Sequence, residues 1–173
     1  MGCDIHAFIE YKKDDLYMGF AEDELWLSRD YALFSALAGV RAYGERPLYP
    51  PRGLPEDCSE AVNGHFFQLT VPDDRVGEDW LRGIDFVEKS FADRWVAEKK
   101  SYYVEGHKYP FVSNSDWHTP SWLTFTEIPR ALKHQGISMT ERAPDFKAAI
   151  AAMAKLAEAY GGDNVRLVFW FDN

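Results

Sequence analysis

The sequence predicts an α+β fold: a single domain over residues 1–173, with a mixed or antiparallel sheet whose N- and C-terminal strands are adjacent and helices packed on it. Three observations carry this expectation. Residues 3–11 alternate with period two, an apolar run at 165–171 reads as a second clear strand, and two segments between them have helical spacing and end signals. A chain of 173 residues, 46% hydrophobic and free of low-complexity tracts, is long enough for one core and short for two.

Taken in order, the first strand places Cys3, Ile5, Ala7 and Ile9 on one face and Asp4, His6, Phe8 and Glu10 on the other. A turn at Lys13-Asp14-Asp15 leads into a short strand near 16–20. From Asp30, the residues Leu33, Phe34, Leu37 and Val40 recur at helical spacing, with Gly39 and Gly44 suited to the helix end. Residues 44–64 hold Pro47, Pro50, Pro51 and Pro55 with Gly44, Gly53 and Gly64, the composition of a long ordered loop, and such loops are often functional. Residues 66–71 read as a strand, and 91–100 as a helix turning into the aromatic run 102–104. Thr124 and Glu127 have capping-box spacing, which predicts a helix from there to about His134, stopped at Gly136, with Pro129 in its second turn. Pro144 opens the clearest helix, 145–160, ended by Gly161-Gly162, and 165–171 follows as the last strand.

Charge narrows the function. The net charge of -9 argues against gripping duplex nucleic acid by neutralising phosphates. The excess is confined to residues 1–94, with 10 Lys and Arg against 19 Asp and Glu, while 95–173 carries nine of each. No apolar run reaches the roughly 20 residues of a membrane span, and no signal peptide is expected. Cys3 and Cys58 are too few for a disulfide scaffold, which points to the cytoplasm. Walker, dinucleotide-binding, zincin and nucleophile-elbow motifs are missing from the sequence.

Four constellations can carry chemistry. Asp4 and His6, two apart on a strand, face the same way, as a divalent metal or a general-base pair requires. Asp172 ends the last strand, and antiparallel pairing with the first would bring it to them. Between 99 and 125, Tyr102, Tyr103, Tyr109, Trp117 and Trp122 are interleaved with Lys99, Lys100, His107, Lys108 and His118, the combination that stacks a base and neutralises a phosphate. Within this stretch His118 and Ser121 precede the capped helix, where anions are favoured. Arg52, on the proline-stiffened loop, would hold a phosphate or pair with Glu56, Asp57 or Glu60.

The opening Met-Gly-Cys-Asp-Ile-His resembles that of a family of small, largely uncharacterised phage and bacterial proteins. Its further landmarks resemble Arg29-Asp30-Tyr31 with Leu33-Phe34, then Ala38-Gly39-Val40-Arg41, Pro51-Arg52-Gly53-Leu54-Pro55, Ser121-Trp122-Leu123-Thr124 and the closing Phe169-Trp170-Phe171-Asp172-Asn173. The resemblance implies a His-Ser-His-Ser stretch before Trp-Leu-Thr. Here His118-Thr119-Pro120-Ser121 has one of the two histidines. It also implies a phage or prophage setting, and hence a bacterial host cytoplasm, and names no reaction.

The expectation is a cytoplasmic hydrolase of a phosphate-bearing substrate, a nucleotide or oligonucleotide. Asp4, His6, His118 and Asp172 would bind Zn or Mn, with His6 and His118 catalytic. Arg52, Lys108, Tyr109, Trp117, Ser121 and Trp122 would hold the substrate. The alternative is a non-catalytic binder that sequesters a nucleotide signal or inhibits a host enzyme, and a third reading is an acidic decoy for a basic partner. The partner implied is a small anionic ligand, with neither duplex nucleic acid nor membrane, and an oligomer is compatible with all three.

Overall fold

A computed structural model describes residues 2–42, 44–106 and 108–173. The chain runs β1 (Asp4–Lys13), β2 (Leu16–Gly19), α1 (Tyr31–Ala38), α2 (Glu60–Phe66), β3 (Phe67–Val71), β4 (Phe86–Glu88), α3 (Lys89–Ala97), β5 (Tyr103–Val104), β6 (Phe111–Ser113), β7 (His118–Thr124), α4 (Ile128–His134), α5 (Pro144–Tyr160) and β8 (Val165–Asp172). The fold is α+β. It divides into two compact units, residues 1–62 with 118–173, and residues 63–117.

The first unit is built on an antiparallel sheet of order β2-β1-β8-β7. The first and last strands are therefore adjacent, as the sequence predicts, and both are central in this sheet. In antiparallel pairing, opposite residues share a face. Ile5 opposes Phe171, Ala7 opposes Phe169 and Ile9 opposes Leu167, and these six join the core with α1, α4 and α5. The other face carries Asp4 opposite Asp172, His6 opposite Trp170, Phe8 opposite Val168 and Glu10 opposite Arg166.

Helix boundaries follow local chemistry. Asp30 caps α1 by accepting the Leu33 N–H at 3.1 Å, and Gly39 ends it in the left-handed conformation, φ 72°. The Asp30 carboxylate also receives Arg142 at 2.6 and 2.7 Å, tying α1 to the segment before α5. The Glu127 carboxylate accepts the Thr124 N–H at 2.9 Å, one half of a capping box. Thr124 nevertheless still belongs to β7, so α4 begins at Ile128, and Pro129 falls in its first turn, where a missing N–H costs nothing.

The second unit holds a four-stranded sheet of order β4-β3-β6-β5, with β3 and β4 parallel and the other pairs antiparallel. The sequence predicts the strand at 66–71, where β3 lies, but no second sheet, because β4, β5 and β6 are two or three residues long, too short for periodicity to register. Val87, Ala92 and Val112 form a small core under Trp95, Val96 and Tyr103. Among the described residues, no helix is long and apolar enough to cross a membrane.

Candidate functional site

At the end of the sheet where both chain termini meet, the structure brings together three of the four residues selected as metal ligands. The Asp4 N–H donates to Asp172 Oδ1 at 3.0 Å, and Asp172 Oδ2 lies 3.2 Å from His6 Nε2. His6 Nδ1 meets Glu24 Oε2 at 2.6 Å, and the ring stacks on Trp170 with centroids 5.8 Å apart. The imidazole thus lies between two carboxylates, one at each ring nitrogen. Asp4 lies beside it and is held by Arg29, whose Nε and Nη2 donate at 2.5 and 2.6 Å. That bidentate bond keeps the Asp4 carboxyl below its usual range. Gly2 leaves the space Arg29 fills, since a Cβ there would clash with the guanidinium.

His118 does not join them. It opposes Phe171, while Ser121 opposes Phe169, so β7 carries one more residue than β8 over this interval. Thr119, at φ 52°, marks this β-bulge. In unbroken register His118 would oppose Asp172 and share its face; the bulge reverses the parity and turns the imidazole to the core side. There it stacks on Phe171 at 6.0 Å, and its Nδ1 lies 2.9 Å from Thr119 Oγ1. Burial pushes its pKa below the ordinary 6.5, against the opposing pull of Asn173 and Asp172. His118 also lies at the start of a strand rather than beside a helix N-terminus. Among the described residues, no group of three or more His, Cys, Asp and Glu is arranged to hold a metal ion. Zn or Mn would have to displace Arg29 from Asp4, or a carboxylate from His6.

Arg52, Ser121 and Trp122 form a separate network. The Arg52 N–H donates to Ser121 Oγ at 3.1 Å, and the Gly53 N–H to the Pro120 carbonyl at 3.0 Å, which pins the proline loop to β7. The Arg52 guanidinium donates to both Glu127 oxygens, at 2.8 and 2.6 Å, and lies 4.5 Å above the Trp122 ring. The carboxylate partner is thus Glu127, from the turn before α4, rather than Glu56, Asp57 or Glu60. Burial alone would raise the Glu127 pKa, but Arg52 and the Thr124 N–H hold it below its usual 4.5. A phosphate at Arg52 would compete with Glu127, and a base at Trp122 with the guanidinium.

A third cluster was not foreseen. Glu10, 0% exposed, and Arg166, 2% exposed, face each other across the central strand pair. Arg166 Nε donates to Glu10 Oε2 at 2.7 Å and Nη1 to Asp57 Oδ1 at 2.9 Å, while Glu10 Oε1 accepts the Ser59 N–H at 2.6 Å. The guanidinium lies 3.4 Å from the centre of the Tyr17 ring. The register that pairs Asp4 with Asp172 also pairs Glu10 with Arg166, so the signal was present in the strand alternation. Next to this cluster, burial pushes the Cys58 thiol up to about 12, which removes it as a nucleophile near neutrality.

The second unit contains a cleft of about 490 Å³ lined by Leu69, Arg75, Glu78, Trp80, Lys108, Tyr109 and Phe111. Trp80 and Tyr109 stack within 15° of parallel at 6.2 Å, and Lys108 Nζ lies 5.3 Å from the Tyr109 centroid. Glu78 accepts Arg75 Nη1 at 2.7 Å and the Trp80 indole N–H, fixing both side chains. Those two bonds, with Lys108 close by, hold the Glu78 carboxyl below its usual range. The sequence pattern points to Lys108 and Tyr109 and carries no signal for Trp80 and Arg75. Trp117 is elsewhere, packed on Phe66 at 5.7 Å. His107 lies outside the described residues. Compared with protein-family models, curated proteins and solved structures, the chain finds no match.

Proposed function

We propose that the protein binds a nucleotide in the cleft of residues 63–117. The observation that supports this is the parallel Trp80–Tyr109 pair flanked by Arg75 and Lys108, two cations against the single carboxylate Glu78, on a chain of charge -9. Trp80 is 44% exposed and offers a ring face to a base, while Lys108 and Arg75 meet the phosphate. A base stacked on an aromatic ring contributes roughly 1–3 kcal/mol. Trp80→Ala is therefore expected to weaken binding of AMP or ATP about tenfold or more in calorimetric titration. Lys108→Ala should weaken ATP more than adenosine. If neither substitution alters nucleotide affinity, this cleft is not the binding site.

A second reading, a metal-dependent hydrolase, draws on the convergence of Asp4, His6, Glu24 and Asp172. On that reading Zn or Mn raises the melting temperature, by about 2.7 kcal/mol of stabilisation at a hundredfold excess over Kd, and Asp172→Asn or His6→Ala removes the effect. Nucleotide recovered intact after incubation with Zn or Mn, together with unchanged melting, would discard hydrolysis and leave binding standing.

A further inference from the structure

The outer edge of β2, in the first unit, carries a different surface. We infer that it is a docking groove for an extended partner segment in which apolar and cationic residues alternate, added as a strand beside β2.

Among the described residues β2 pairs with β1 alone, and it ends the sheet. The Phe20 N–H donates to the Ile9 carbonyl at 2.8 Å, so Phe20, Met18 and Leu16 occupy the hydrogen-bonded positions facing β1. Tyr17 and Gly19 then direct their N–H and C=O groups outward. Sheet edges are commonly blocked by Lys, Pro, a charge pointing inward or a bulge. The edge Leu-Tyr-Met-Gly has none of these. Leu16, Met18 and Phe20 are 68%, 44% and 49% exposed and lie in a row on one face. A groove of about 560 Å³ runs between 16–22 and 58–61, and the Gly19 position is 3.2 Å from the Ala61 methyl, where only a glycine fits without displacing its neighbour.

Charge selects the occupant. Segments 14–24 and 56–61, which flank the groove, contain eight carboxylates and no Lys, Arg or His. Two of these are occupied, Glu24 by His6 and Asp57 by Arg166. On β1, Lys12 reaches Asp15 at 4.0 Å. Leu16, Met18 and Phe20 share the face of Ile9 and Tyr11, whereas Tyr17 and Gly19 share the face of Glu10, toward residues 58–61; a strand with apolar side chains on the first face and cations on the second fits this edge, and the carboxylates repel a second copy of it.

The test uses the full chain and two short capped peptides, one alternating Val with Lys and one alternating Val with Glu. The Val–Lys peptide is expected to slow amide hydrogen exchange at Tyr17 and Gly19, with affinity falling severalfold as salt is added. The double variant Leu16→Lys, Met18→Lys, altered only at exposed positions and checked for unchanged melting, should lose that protection. Equal binding of the Val–Glu peptide, no slowing with Val–Lys, or full protection in the double variant would each overturn the inference. So would protection that rises with protein concentration alone, which would mean that a second copy occupies the edge.

Discussion

Arg166→Met is expected to destabilise the protein by about 3–5 kcal/mol, the cost of leaving a buried charge without its partner. Glu10 is fully enclosed, and without the guanidinium its carboxylate keeps, among the described residues, the Ser59 N–H alone. Glu10→Ala should cost a similar amount, since among the described residues the one carboxylate left to Arg166 would be Asp57, whose side chain is 63% exposed. Replacing both residues with apolar side chains of similar volume should cost much less than the two single losses together. Urea denaturation of the two single variants and the double variant measures this. Single-variant costs below about 1 kcal/mol, or strict additivity, would show that water reaches the pair. The pair gains specificity from its position. Arg166 is followed in β8 by the apolar run Leu167–Phe171, and slipping β8 by one residue against β1 would carry Arg166 into the helical core.

Phe171→Ala is expected to cost about 3–5 kcal/mol through the cavity it leaves. The ring is fully buried, meets Phe34 edge-on at 5.1 Å and Phe169 at 5.9 Å, and covers His118. The same substitution has a second readout. Burial keeps the folded-state pKa of His118 below 6.5, so the unfolded chain takes up its proton first as pH falls. Stability linked to His118 is thus complete above pH 6.5 and is lost as pH drops from there through the lower folded-state value. Admitting water beside the ring should move the His118 titration, followed by NMR, back toward 6.5 and flatten that loss. A His118 titration unmoved by Phe171→Ala would mean that other walls of the site enforce its burial.

The long elements were legible because their periodicity has room to repeat. Ten residues of β1 and eight of β8 have room for their alternation to show and to place the two strands side by side, while the antiparallel register that brings Asp4 to Asp172 is read from the structure. The helix at Pro144–Tyr160 announced itself by proline, alanine content and a terminal glycine pair. By contrast, β7 hid behind Pro120 and a bulge, so His-Thr-Pro-Ser-Trp read as a lead-in to a helix. That bulge also explains the misplacement of His118, because one extra residue reverses which face a side chain takes. Glu24 comes from an irregular segment, and no periodicity placed its carboxylate on His6. Trp80 sits in a 3₁₀ turn between Arg75 and Arg82, where only its tertiary pairing with Tyr109 reveals a role.

The pairing of β1 with β8 also governs the order in which the molecule can be assembled. Asp4 and Asp172 are 168 positions apart, so the central ladder of the sheet closes one of the longest loops the chain can make. Loop closure costs only slowly more entropy with length, but such distant pairing slows folding. On a ribosome, β1 would emerge first and wait with Ile5, Ala7 and Ile9 uncovered until the last strand had left the exit tunnel. Assembly of this sheet therefore waits for the last strand, and a chain stopped before Val165 would lack the strand that joins β1 to β7.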